Sequence, residues 1–284
     1  MNKFRINILL LLVAFATVFT TGCYEPSDFD AFGSGNQTVV IEACITDSDS
    51  LNTIIISKSV PASDTNDCEF VDDAIVMLRD DMGNSAEVVS IGNGRYKTSG
   101  LIGKPGHDYL LTAEIDGFRY SSIDRMPIAS KIDSLIVEFK DNRTLFDTIG
   151  YYITVLAPQL SDTTSYYRIA VEQNGVPLDN YSNLWIYEDT HKASTFKMTV
   201  NHNFETGDSV VVKVYSLSEN VYEYFFGLSK QFSTNFSNIQ PPLTNPDNNI
   251  NPTALGCFQA SPVKVFRFIV GNKARTIVKL QEFQ

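Results

Sequence analysis

Two neighbouring acidic runs, TDSDS and SDTNDCEF, put Asp47, Asp49, Asp64 and Asp67 into adjacent turns. Calcium takes roughly six to eight oxygen ligands, and acidic loops supply them. These four carboxylates are therefore a candidate metal site with calcium as its ion. The usual calcium-loop spacing with its central glycine is missing, so solvated loops at strand ends are the competing reading. A second group is aromatic: DNYSNLWIYEDTH gathers Tyr181, Trp185 and Tyr187. Such rings offer flat apolar faces with a polar tip, which suits a sugar or peptide ligand. Packing at the edge of a core competes with that role.

Reactive side chains are sparse. The histidines, His107, His191 and His202, have no partner at metal-ligand spacing, and no Gly–x–Ser–x–Gly elbow occurs. Ser194 to Lys197 matches Ser–x–x–Lys, but no Ser–Asp–Asn supports it. No catalytic residue is assigned, and a non-enzymatic protein is expected. Of four cysteines, Cys44 and Cys68 are candidates for a disulfide in an oxidising compartment, with two separate thiols as the alternative. Cys257, in ALGCFQA, reads as a small buried hydrophobe.

Cys23 has a different chemistry. Lys3 and Arg5 precede an apolar run from Ile6 to about Phe19, then Thr20, Thr21, Gly22 and Cys23. This is the basic, apolar, small order of a secretory signal peptide. The run is short for a membrane span of about 20 residues. A cysteine directly after the small residues resembles a bacterial lipobox, although Thr20 stands where leucine is usual. Residues 1–22 are thus expected to be removed and Cys23 to be lipidated, anchoring the chain in a membrane. Residues 1–22 carry Lys3 and Arg5 and no acid, so 22 basic side chains fall to 20 against 33 acidic ones, and the charge moves from −11 to −13. That balance excludes the basic footprint of a nucleic-acid binder.

The elements that must position these residues are mostly strands. YEPSDFDAFGSGNQ has no period and reads as a tether ending at residue 37. From residue 38, TVVIEACIT, NTIIISKSV, AIVML, EVVSI, GRYKT, HDYLLTAEID and FRYSSI alternate with period two, separated by turn signals such as IGNGRY and IDGFRY. Seven such strands over 38–128 predict an immunoglobulin-like β-sandwich. In the first, Val39, Ile41, Ala43 and Ile45 share one face, which puts Glu42 and Cys44 on the other. A second β-rich domain is expected over 129–284, from IDSLIVEFK to VKVFRFIV. Within it Val221, Phe225, Leu228 and Phe232 form one helical stripe, giving a packed α-helix near 218–235 with Ser218 as N-cap. Gly227 inside that helix implies a bend or a close approach. The expected fold class is all-β, with one helix.

VVIEACITD, GRYKTSGLIGKPGHDYLLTAEIDGFRYSS, DSVVVKVYSLSENVYEYFFGLSKQ and NNINPTALGCFQAS, with Cys23 before them, resemble the DUF4249 family of Bacteroidota outer-membrane lipoproteins. Cys257 stands where the family pattern is aromatic. The resemblance implies a lipid-anchored outer-membrane protein at the cell surface. It also implies a TonB-dependent outer-membrane transporter as partner, with this chain as a ligand-binding accessory. A surface adhesin or structural module binding glycans or proteins is the alternative, and a hydrolase is the weakest reading.

Overall fold

Alternation along TVVIEACIT becomes strand β1 (Val39–Thr46), with Val39, Ile41, Ala43 and Ile45 buried on one face. The computed structural model describes residues 37–60, 68–141, 148–158, 164–178, 184–190, 195–232, 245–252 and 254–280. Next come β2 (Thr53–Lys58), β3 (Glu69–Phe70), β4 (Ile75–Asp80), β5 (Glu87–Gly92), β6 (Arg95–Ser99), β7 (Asp108–Ile115) and β8 (Phe118–Arg125). The chain continues through β9 (Ser134–Lys140), β10 (Gly150–Pro158), β11 (Ser165–Gln173), β12 (Val176–Pro177), β13 (Trp185–Asp189), β14 (Thr195–Phe204) and β15 (Ser209–Leu217). Helix α1 (Glu219–Phe232) follows, then β16 (Ile250–Asn251), β17 (Leu255–Ser261), β18 (Val263–Ile269) and β19 (Arg275–Lys279). The fold is all-β with a single α-helix among the described residues.

Tight turns follow from the sequence. Asn93–Gly94, Asp116–Gly117 and Asn174–Gly175 all carry positive φ at both residues. That conformation matches the twist of a two-residue hairpin, and Asn–Gly or Asp–Gly reaches it at least cost. The turns join β5 to β6, β7 to β8 and β11 to β12.

Four sheets build two sandwiches. In the first, sheet β17-β1-β2-β6-β5, with β3 on β2, faces sheet β16-β8-β7-β4. Ile41, Ile45, Ile56, Leu78, Tyr109, Leu111 and Phe258 fill the space between them. In the second, sheet β14-β10-β9-β19 faces sheet β12-β11-β15-β18, with β13 on β11. Its core includes Leu135, Ile153, Val155, Ile169, Met198, Val212 and Phe266.

The first sandwich is discontinuous in sequence. β17 runs parallel to β1, with Ile41 opposite Gly256 and Ala43 opposite Phe258. β16 pairs with β8. A boundary at 128/129 therefore leaves out Ile250–Asn251 and Leu255–Ser261, which complete the first sandwich. Parallel neighbours need a crossover, and here it runs through the rest of the first sandwich and then through β9–β15 and α1 of the second. The chain returns through Pro262 alone: β17 ends at Ser261 and β18, paired with β15, begins at Val263. Gln37–Gln284 accordingly form one compact unit.

α1 occupies the expected stripe. Ser218 Oγ accepts a hydrogen bond from the Val221 amide at 3.4 Å, and Val221 is fully buried with Leu217, Tyr222 and Cys257. Tyr222 stacks on Tyr166 with ring centroids 4.6 Å apart. Gly227 marks a close approach: a Cβ there would meet Pro246 Cβ at 2.8 Å. No helix among the described residues is long and apolar enough to cross a membrane.

Candidate functional site

The face of β1 turned away from its core holds Glu42 and Cys44, as the alternation requires. In register beside them, β17 sets Cys257 opposite Glu42 and Gln259 opposite Cys44. On the other side, β2 sets Ile55 opposite Glu42 and Thr53 opposite Cys44. Six side chains on three strands thus form a floor. Tyr224, Phe225 and Leu228 of α1 cover it, and Arg168 of β11 and Leu184 close one side, leaving a cleft of about 420 Å3. Pockets for small molecules span roughly 300–1,000 Å3. The cleft is made jointly: the first sandwich gives the floor, the second sandwich and its helix the cover.

Its groups have distinct characters. Gln259 is 4% exposed, and its Nε2 finds no hydrogen-bond acceptor among the described residues. Arg168 holds its guanidinium 4.5 Å from the Phe225 ring centroid and 5.9 Å from that of Tyr215, a cation–π arrangement. Glu42 is exposed at the rim. Burial pushes the Cys44 thiol up to about 12; Arg168 draws it down and Asp124 adds to the rise. Burial also pushes Cys257 far up, with Asp124 and Cys44 adding to the rise. The thiol of Cys257 donates to Asn249 Oδ1 at 3.6 Å. Both sulfurs stay protonated at neutral pH and are therefore poor nucleophiles.

Behind the floor, Asp124 of β8 ties three elements together. Its Oδ1 accepts from Ser218 Oγ at 2.6 Å, at the start of α1, and its Oδ2 accepts from the Ala260 amide of β17 at 2.7 Å. Burial pushes its carboxyl up to about 6, against the pull of those hydrogen bonds.

The residues singled out from sequence lie elsewhere. Trp185 is 7% exposed and packs, with Tyr187, into the second core. The Tyr187 hydroxyl donates to the Thr199 carbonyl at 2.5 Å, and burial pushes this phenol up to about 12. The binding platform read from Trp185 and Tyr187 is corrected: both rings point inward on β13, where they stabilise the fold. Tyr181 lies outside the described residues. For calcium, Asp47 Oδ1 accepts the Val263 amide at 2.8 Å and so caps the entry to β18. Asp64, Asp67 and the side chain of Asp49 lie outside the described residues. No group of three His, Cys, Asp or Glu among the described residues could hold a metal ion.

The Cys44–Cys68 disulfide is also corrected. Both are free thiols. Cys44 is opposite Thr53, whereas Cys68 precedes Glu69, which is opposite Lys58. Five residues of β2 separate these positions, about 17 Å at strand rise, and a disulfide tolerates about 7 Å between Cα atoms. The amides of the loop before β16 serve the chain itself: Asn249 Nδ2 donates to the Phe258 carbonyl at 2.7 Å and its Oδ1 accepts the Phe258 amide at 3.0 Å. Ser194, His191 and Cys23 are outside the described residues.

Of the cleft residues, sequence alternation had set Cys44 and Glu42 off the core face, and the helical stripe had marked Phe225 and Leu228. Gln259 and Arg168 were missed. A lone glutamine inside the apolar run ALGCFQA was the available signal.

A family model described as a domain of unknown function, DUF4249, matches residues 25–267. The chain belongs to the DUF4249 family. No curated protein and no solved structure matches it. The DUF4249 match includes every cleft residue from Glu42 to Gln259 and begins just past Cys23. The family description assigns no activity, so the cleft must be read from its own groups.

Proposed function

We propose that this chain is a lipid-anchored cell-envelope protein that works by binding rather than by catalysis, as a ligand-binding accessory of a TonB-dependent outer-membrane transport system. The observation that carries the binding reading is the cleft between the two sandwiches, with the buried Gln259 amide turned into it and lacking an acceptor among the described residues. A buried donor without a partner costs about 1–3 kcal/mol, and a bound molecule restores what is missing. The two thiols in the cleft are held protonated by burial, which suits a binding wall better than a nucleophile. The export run ending at Cys23 supports the membrane anchor, and the family resemblance supports the transporter as partner.

Two measurements test this. Cys23→Ala is expected to abolish fatty-acid labelling and to release the protein from membranes; labelling that persists in the variant sinks the anchor. Extraction of the outer membrane in mild detergent, followed by capture of this chain, is expected to recover a TonB-dependent transporter, and native mass spectrometry is expected to show a small molecule bound. Capture of the chain alone, without transporter or ligand, overturns the accessory role.

A further inference from the structure

We infer that the cleft takes a small monocarboxylate with an apolar or aromatic body, its acid head held by Gln259 and Arg168 and its body lying under α1. This deepens the binding reading and rests on it. Three observations give the ligand its shape. First, the buried Gln259 Nε2 is a donor, so the ligand must bring an acceptor to the floor. Second, Arg168 lines the same cleft and has only donors to offer. A guanidinium and an amide N–H lining one cleft match a carboxylate better than a neutral carbonyl, because charge-assisted hydrogen bonds are about twice as strong. Third, much of the remaining lining is apolar: Phe225, Leu228, Leu184 and Ile55. An aromatic or alkyl body is therefore removed from water as the head is seated.

The rim refines the class. Glu42 is exposed at the mouth and directly opposite Ile55 and Cys257 in register. A second acid group at the outer end of the ligand would meet this carboxylate, so one acid is favoured over two. Asp124, behind the floor, has both oxygens committed to Ser218 and Ala260 and offers the ligand no free acceptor. Cys44, half-buried in the floor beside Gln259, reports occupancy, since a ligand on Gln259 covers its sulfur.

The full chain in mild detergent is titrated calorimetrically with 3-phenylpropionate and with its neutral counterpart 3-phenylpropanamide, against matched detergent blanks. Alkylation of Cys44, slow because its thiol is held protonated, is driven with excess iodoacetamide at raised pH and followed in parallel by peptide mass spectrometry. The acid is expected to bind and to slow alkylation of Cys44, with the amide on the order of ten-fold weaker or more. Gln259→Leu, checked by its melting temperature, is expected to weaken the acid by a similar factor. Equal binding of acid and amide, both shielding Cys44, overturns the carboxylate class while leaving a binding cleft. Shielding of Cys44 by neither probe overturns the inference too; the binding reading then falls only if native mass spectrometry of the extracted protein also shows no ligand. The comparison of acid with amide is made on the wild-type chain, so a Gln259→Leu variant that does not fold leaves the test intact.

Discussion

Asp124 is a buried acid at the junction of three elements, and its titration is a property of the folded state. Its carboxyl ordinarily titrates near 3.8 and is pushed up to about 6 here, burial being the largest cause. A group whose pKa is raised on folding adds stability that is present below its unfolded pKa and is lost as pH rises through the folded one. For Asp124 the window runs from about 4 to about 6. A shift of about two units corresponds to roughly 3 kcal/mol across that window. Asp81 acts in the opposite sense. Its hydrogen bond with His107 holds it low, so its contribution is present above its ordinary pKa and is lost as pH falls. The comparison must therefore be between proteins. Asp124→Asn keeps the shape and the acceptor for Ala260, and the Ser218 hydroxyl can rotate to accept from the new amide. Urea unfolding at pH 7.5 and pH 4.5 is expected to show wild type gaining about 2 kcal/mol on the variant at the lower pH. Parallel pH profiles for the two proteins would remove Asp124 from this role. The residue was not legible in FRYSSIDR, because Ser122 and Asp124 occupy inward positions where alternation leads one to expect apolar side chains.

At the scale of elements, the deciding contact is β17 on β1. Gly256 has φ of +90°, and a Cβ there would lie 2.1 Å from the Ile41 carbonyl oxygen. A side chain at this position is thus opposed twice, by the backbone conformation and by the neighbouring strand. Gly256→Ala is expected to destabilise the chain by about 2 kcal/mol or more, seen as a lower melting temperature. Because Cys257 and Gln259 ride on the same strand, Cys44 should also become more open to alkylation. An unchanged melting temperature with unchanged Cys44 reactivity would show that β17 tolerates the shift and does not fix the cleft floor. Elements of this length were largely readable: the long alternating strands and the stripe Val221, Phe225, Leu228 appear where period and spacing place them. β3, β12 and β16 have two residues each, too few to display a period. The parallel pairing of β1 with β17 had no local signal at all, since it joins residues more than 200 positions apart and depends on the crossover between them.

Whole-molecule behaviour follows from that crossover. Ile250, Ala254, Phe258 and Ala260 belong to the first core, and all four come from the far end of the chain. A fragment of residues 37–128 keeps seven long strands but loses these side chains. The deletion of one large core side chain alone costs about 3–5 kcal/mol, and folded domains are stable by only about 5–15 kcal/mol in total. The fragment would also leave β1 as an open edge, with the unpaired amides and carbonyls that β17 normally satisfies. It is therefore expected to show no cooperative unfolding and poor dispersion in 1H–15N spectra, whereas residues 37–284 unfold in one transition by scanning calorimetry. Mixing 37–128 with a separately made 129–284 fragment is expected to restore dispersion to the first, because the missing strands are then supplied in trans. A 37–128 fragment that unfolds cooperatively by itself, near the temperature of the longer chain, would show that the two sandwiches are independent domains and that β16 and β17 are ornaments on the first. The cleft makes the same demand from the functional side: its floor and its cover lie in different sandwiches, so a ligand that fills it binds the joined molecule and should raise the single transition of 37–284 without affecting either fragment.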